Sequence, residues 1–416
     1  MARTHVLGER AYLQLPLIVT NPMNMPITKS QRGFSLLELM IASVIGLICV
    51  MAMTQMFRMG MNATFTVTQR AETQENMRAA IELMTKDISM AGAGLPSGGL
   101  QLPTGTVSKV ACNQSGTCYV PGDVYPPSGS GVNNYMYGML PGFANGVEGG
   151  ASITSAPAAV NDSITAIYCD YNFPLSNFKF TFASATGVTL TVVNAGATPN
   201  NILSPGGLNV GDLLLLLVST AGTGVGSQGT AVQQTAAVVA EITGLPAGGG
   251  AINFAGGDAL NFNQSAGTPN SFANLATPLV GTTYASSGSA TTMSVCRLNA
   301  VTYFLQVPPA GGTVQTPRLM RQVNGLTAVP VADNIINLQF SYDIINSVAG
   351  NMSANQSNPI AAGLSPGLIQ KVNIWIMGES LTRGGTRSQS MYLASSVSAG
   401  NMSFCNSYSS NNTSCQ

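Results

Sequence analysis

The sequence predicts an α+β protein. A long N-terminal helix, with a transmembrane half and an amphipathic half, packs on a β-rich globular head that carries long Gly/Ser-rich loop insertions. Three observations predict it. Residues 34–57 carry a single charge, residues 70–88 repeat apolar side chains at three- and four-residue steps, and later residues alternate β-branched runs with Gly, Pro, Asn and Ser breaks.

The first helical half is residues 34–57, where Glu38 is the one charge, Gly46 the one glycine, and proline is absent. A helix of that length spans about 36 Å at about 1.5 Å per residue, enough to cross a bilayer. A carboxylate inside such a helix costs roughly 2.5–3.5 kcal/mol on insertion scales, so Glu38 needs a partner. Upstream, Lys29 and Arg32 follow the positive-inside rule and put residues 1–33 in the cytoplasm, with the rest of the chain across the membrane. Residues 1–33 read as a processing segment outside the fold, since the apolar patch at 13–19 is too short to span. Met23 and Met25 offer later starts.

The run Gly33-Phe34-Ser35-Leu36-Leu37-Glu38, directly before the apolar segment, resembles the class III signal of type IV prepilins and pseudopilins. The resemblance implies that a prepilin peptidase cuts between Gly33 and Phe34 and that the same enzyme N-methylates Phe34. It also implies that Glu38 is the docking charge that meets the N-terminal amine of a neighbouring subunit as the helix enters a filament. The physics agrees, because a buried ammonium and a buried carboxylate each need the other.

The amphipathic continuation is expected over residues 58–91. Glu72, Glu75, Arg78, Glu82, Lys86 and Asp87 fall on its polar side, and Met77, Ala80, Ile81, Met84 and Ile88 form one apolar face. Gly92 and Gly94, then Pro96, end the helix. The head, residues 96–416, has strand candidates at 163–168, 178–182, 189–193, 237–242, 301–306, 318–323, 335–342 and 372–377. The run at 213–218 is apolar throughout and suits a strand covered on both faces. Residues 121–157 and 246–289 show little periodicity and read as surface loops or insertions. The segment 84–92 and the order of the late strands are similar to PilW-type minor pilins. The shared strands are 301–305, the arginine-bearing 317–323, 334–343 with its aromatic and acidic end, and 371–377.

Of the seven cysteines, Cys49 lies in the apolar segment as a filler, leaving six for an oxidising compartment. Cys112 and Cys118 flank a short polar run. Cys405 and Cys415 resemble the C-terminal disulfide-bounded loop of many pilins, and Cys169 and Cys296 remain as a pair. Six cysteines allow fifteen connectivities, so the pairing stays open.

Charged residues make up 8% of the chain and the formal net charge is zero, which argues against a nucleic-acid partner. The one histidine, His5, precedes Gly33, and nucleotide-binding, hydrolase-elbow and EF-hand signatures are absent, so neither an enzyme nor a cofactor is expected. Asp162, Asp170, Asp212 and Asp343 are strand-end acids, read as turn residues with calcium as the weaker option. The resemblance implies a minor pilin of a type IV pilus, needed for twitching, that primes filament assembly or sits at the tip. The alternatives are a minor pseudopilin of a type II secretion system, or a tip-presented adhesin hinted at by Tyr125, Tyr135, Tyr137 and Phe143. Implied partners are other minor pilins, the major pilin, the prepilin peptidase/methyltransferase and the inner-membrane assembly platform. The implied location is the bacterial inner membrane, single-pass with a periplasmic head, and then the cell-surface pilus.

Overall fold

The computed structural model describes residues 33–96, 99–106, 108–112, 135–148, 161–170, 172–173, 175, 178–182, 189–193, 202, 207–220, 234–246, 250–276, 283–284, 291–307, 317–345, 351–380 and 389–402. The chain forms two units, Met1–Met61 and Asn62–Gln416. One α-helix, Leu36–Met90, begins in the first and ends in the second.

In the first unit every described residue is exposed, and the helix is apolar on all sides rather than along one stripe. Such a surface is stable only in lipid or against other helices. Its hydroxyls are satisfied internally: Ser43 Oγ donates to the Met40 carbonyl (2.8 Å) and Thr54 Oγ1 to that of Val50 (2.9 Å). This lowers the cost of carrying polar groups in an apolar helix.

In the second unit the helix becomes one-sided. Thr73, Met77, Ala80, Met84, Asp87 and Ile88 are buried, at three- and four-residue steps. They enter a core built with Ile164, Val301, Phe340 and Ile374 of the sheets. Gly378 permits the close approach, because a Cβ there would stand 2.9 Å from both Met77 Sδ and Thr73 Cγ2. Asp87 departs from its expected polar side: it is 2% exposed. The helix stops where expected, at Gly92, whose φ of +84° suits only glycine without strain. The Gly92 N–H then donates to the Ile167 carbonyl (2.8 Å), fixing the helix end to a strand.

Among the described residues the strands form one seven-stranded, two four-stranded and one two-stranded sheet. The seven-stranded sheet is organised by Thr291–Gln306. Its first half pairs with Leu213–Thr220, its second half with Arg318–Val323, and its other edge with Ser163–Asp170, all antiparallel. Leu213, Leu214, Leu215 and Leu216 are at most 1% exposed, so this strand is covered on both faces as its unbroken apolar run requires. Ile335–Ile345, Ile369–Ser380 and Gln389–Ser398 lie side by side in a four-stranded sheet, with Met352–Gln356 at its far edge. The other four-stranded sheet contains Lys179–Phe182, Thr189–Val193, Ala251–Asn253 and Thr283–Tyr284.

Parts of the two stretches expected as surface loops are core instead. Met136, Met139 and Leu140 are fully buried, and Phe254, Leu260, Phe262 and Phe272 are 1–3% exposed. Their apolar residues are spaced too irregularly to show a period, yet they fill gaps between sheets. The strand Gln389–Ser398 was also hidden, because its serine-rich outer face leaves too few apolar residues to mark the alternation.

Candidate functional site

The helix start is the first candidate site. Gly33, Phe34 and Ser35 precede the helix as irregular backbone, and the Leu39 N–H donates to the Ser35 carbonyl (3.1 Å), opening the first turn. Phe34 is 82% exposed. A Cβ on Gly33 would meet nothing within 4 Å. Glu38 lies in the first turn, where a negative charge suits the helix dipole, and makes no hydrogen bond or ion pair among the described residues. Lys29 and Arg32 lie outside the described residues. The arrangement offers an accessible peptide bond ahead of a helix and, one turn on, an unpartnered carboxylate on an apolar surface.

The second polar centre is within the head. Asp87 accepts hydrogen bonds from Tyr168 Oη (2.8 Å), Tyr303 Oη (2.6 Å) and Arg321 Nε (2.8 Å). Burial, followed by the Asp87 charge, raises both tyrosine hydroxyls above their ordinary range. For Arg321, burial works against the charge, but the hydrogen bond and charge of Asp87 outweigh it. Four polar side chains thus satisfy one another between the helix and the seven-stranded sheet, which makes this a structural clamp. Sequence reasoning missed Asp87, although its spacing from Met84 and Ala80 puts it on the apolar face. Arg321 and Arg318 diverge as strand parity predicts, and Arg318 pairs with Asp333 at the surface (2.7 Å).

Cys169 and Cys296 form a disulfide between Ser163–Asp170 and Thr291–Gln306, with Cα atoms 5.7 Å apart and a sequence separation of 127. Cys112 is disulfide-bonded, whereas Cys118, Cys405 and Cys415 lie outside the described residues. Cys49 is free and exposed on the apolar helix.

The strand-end aspartates are each engaged locally. Asp162 accepts from the Ala144 and Phe340 N–H groups (both 2.9 Å), Asp170 pairs with Arg297, Asp212 accepts from the Asn209 N–H (2.9 Å), and Asp343 faces Lys371 (3.6 Å). Burial raises the Asp162 and Asp212 carboxyls. At Asp170 it is outweighed, chiefly by the Arg297 hydrogen bond, and the carboxyl is lowered. Glu241 is pushed up to about 7 by burial and by neighbouring Asp258, against the hydrogen bond from the Leu260 N–H. No group of three or more His, Cys, Asp or Glu that could hold a metal ion occurs among the described residues. Of the aromatics singled out as surface contacts, Tyr137 is buried against Leu100 and Met136, Phe143 is 37% exposed, and Tyr125 lies outside the described residues.

The family described as the Prokaryotic N-terminal methylation motif matches residues 28–54, which include Gly33, Phe34 and Glu38. No curated protein and no solved structure matches the chain. The match shows a type IV prepilin-like class III signal, and with the single membrane-length apolar helix among the described residues it supports a type IV pilin-like or pseudopilin protein. The motif is that of a structural family, processed by prepilin peptidase and assembled into pilus-type complexes. Its long apolar helix fits membrane anchoring.

Proposed function

We propose that this chain is a minor pilin of a type IV pilus, of the PilW type, that primes filament assembly or sits at the tip. Peptidase cleavage after Gly33 frees the Phe34 amine, which is then N-methylated. Residues 34–57 hold the subunit in the inner membrane with the head in the periplasm, and Cys112–Cys118, Cys169–Cys296 and Cys405–Cys415 brace that head. Glu38 meets the N-terminal amine of a neighbouring pilin as the apolar helix passes from lipid into a bundle of like helices, so its surface never meets water.

The observation that carries this reading is the charge pattern: one unpartnered carboxylate, one turn into an exposed apolar helix, within the residues that match the methylation motif. A group so placed is costly in lipid and useful only when a second molecule supplies the cation. The minor rather than shaft role rests on the resemblance of residues 84–92 and of the late strand order to PilW-type minor pilins. The same features suit a minor pseudopilin of a type II secretion system. A clean deletion separates the two: lost pili and twitching with intact type II secretion supports the minor pilin. Intact pili with lost secretion overturns it in favour of the pseudopilin.

A further inference from the structure

The sheet containing Ile335–Ile345, Ile369–Ser380 and Gln389–Ser398 has two unlike faces. Inward, Leu338, Phe340, Tyr342, Ile374 and Ile376 are at most 3% exposed. Outward, strand register sets side chains in rows: Gln339 beside Trp375 and Ala394, then Ser341 beside Asn373 and Ser396. Trp375 is the chain's one tryptophan. Tyr392, on the next outward row and 72% exposed, holds its ring nearly parallel to the indole, at 22° with centroids 6.4 Å apart. A groove of about 650 Å³ crosses this face, with Phe143 among the residues that line it. That volume falls in the range of about 300–1,000 Å³ typical of small-molecule sites.

The lining defines the chemistry of the occupant. Among the described residues no lysine or arginine lines the groove, so an anionic ligand finds no countercharge there. Its one ionisable side chain, Asp162, is 5% exposed and already accepts two backbone N–H groups. Ile369–Ser380, the strand that carries Trp375 and Asn373, is paired along both edges and offers an extended peptide no free backbone. What remains is a flat aromatic surface bordered by neutral amides and hydroxyls, with Asp343 and Lys371 paired to each other on the row beyond Asn373. The Gln339 amide and the Trp375 indole N–H make no hydrogen bond among the described residues. The Asn373 Nδ2 donates to Asn355 Oδ1 (3.2 Å), Ser341 Oγ (3.3 Å) and Asp343 Oδ1 (3.3 Å), which orients that amide and leaves its Oδ1 to accept from a ligand.

We propose that this groove binds a neutral glycan, with the apolar C–H face of one pyranose stacked on Trp375 and its hydroxyls hydrogen-bonded to Gln339 and Asn373. A pyranose has this same division, an apolar ring face and a rim of uncharged donors and acceptors, so one stacking contact and two amides recognise it together. The site is independent of the filament reading, since assembly depends on Glu38 and the helix, and the groove lies on a sheet of the head.

The lone tryptophan makes the test direct. Full-length protein in a polyoxyethylene detergent, whose headgroup contains no sugar, is titrated with neutral tetrasaccharides of glucose, galactose, mannose and N-acetylglucosamine while indole emission is recorded. The expected result is a saturable emission change with at least one of them. Gln339→Ala and Asn373→Ala should each weaken it by about three- to tenfold, the worth of one hydrogen bond, with circular dichroism unchanged. Gln339→Asn, which keeps the amide, is the milder second variant if Gln339→Ala does not fold. No saturable change across the panel overturns the proposal. So does sugar binding that both alanine variants leave unaltered, or an emission change seen only when a partner pilin is added, which would make this face a subunit interface.

Discussion

At Gly33 a Cβ would meet no atom within 4 Å, and the residue is not among the glycines held at positive φ, so the fold itself does not require glycine there. On the proposed reading the requirement falls on the prepilin peptidase, which must bring the chain close to its own active groups. Gly33→Leu should therefore leave membrane insertion and the head intact while blocking the shift to mature size on a gel. A variant that still shifts would remove the cleavage site from Gly33. Glu241 is a second residue with a consequence of its own. Its raised carboxyl holds its proton more tightly when folded than when unfolded. The stability it contributes is full below about 4.5 and is lost as pH rises through about 7, amounting to up to about 3 kcal/mol. Thermal melts should show wild type losing stability between pH 5 and pH 8, and Glu241→Gln losing less. Parallel losses would mean that the buried carboxyl does not titrate in this range.

The helix Leu36–Met90 and the seven-stranded sheet meet through the Asp87 clamp. Removing only the acid strands a guanidinium and two tyrosine hydroxyls in a mostly apolar setting, which costs about 3–5 kcal/mol. Asp87→Leu should lower the denaturation midpoint strongly, and Asp87→Leu combined with Arg321→Met should recover part of the loss. If the double variant is as unstable as the sum of the two single variants, the pair does not act as a unit. Nearby, the Cys169–Cys296 disulfide closes a loop of 127 residues, so its main effect is to restrict the unfolded chain, worth about 4–5 kcal/mol on the loop-entropy account.

For the whole molecule, the apolar first unit and the folded head carry separable duties. Glu38→Val removes a charge that nothing among the described residues partners, so it should not harm the head, and it should favour insertion into lipid. The expected outcome is a stable, membrane-inserted protein that enters filaments poorly, read as the ratio of membrane-held to filament-bound protein. Normal filament incorporation would mean that the docking charge lies elsewhere.

Much of this was legible from local pattern alone. The membrane-length apolar run with Glu38, the helix stop at Gly92 and Gly94, and strands such as Arg318–Val323 follow from charge, glycine placement and period, which depend only on near neighbours along the chain. Burial of Asp87 was not legible: Tyr168, Tyr303 and Arg321 are 81, 216 and 234 residues away, and only the fold brings them to one carboxylate. The packed aromatics of the Gly-rich stretches and the outward row of Gln339 and Trp375 were hidden for the same reason. By itself the sequence determined the class III signal, because a processing signal is read as a linear chain. Tertiary structure decided which polar groups are clamps and which stand open in a groove, because strand register and sheet packing set which distant side chains share a face.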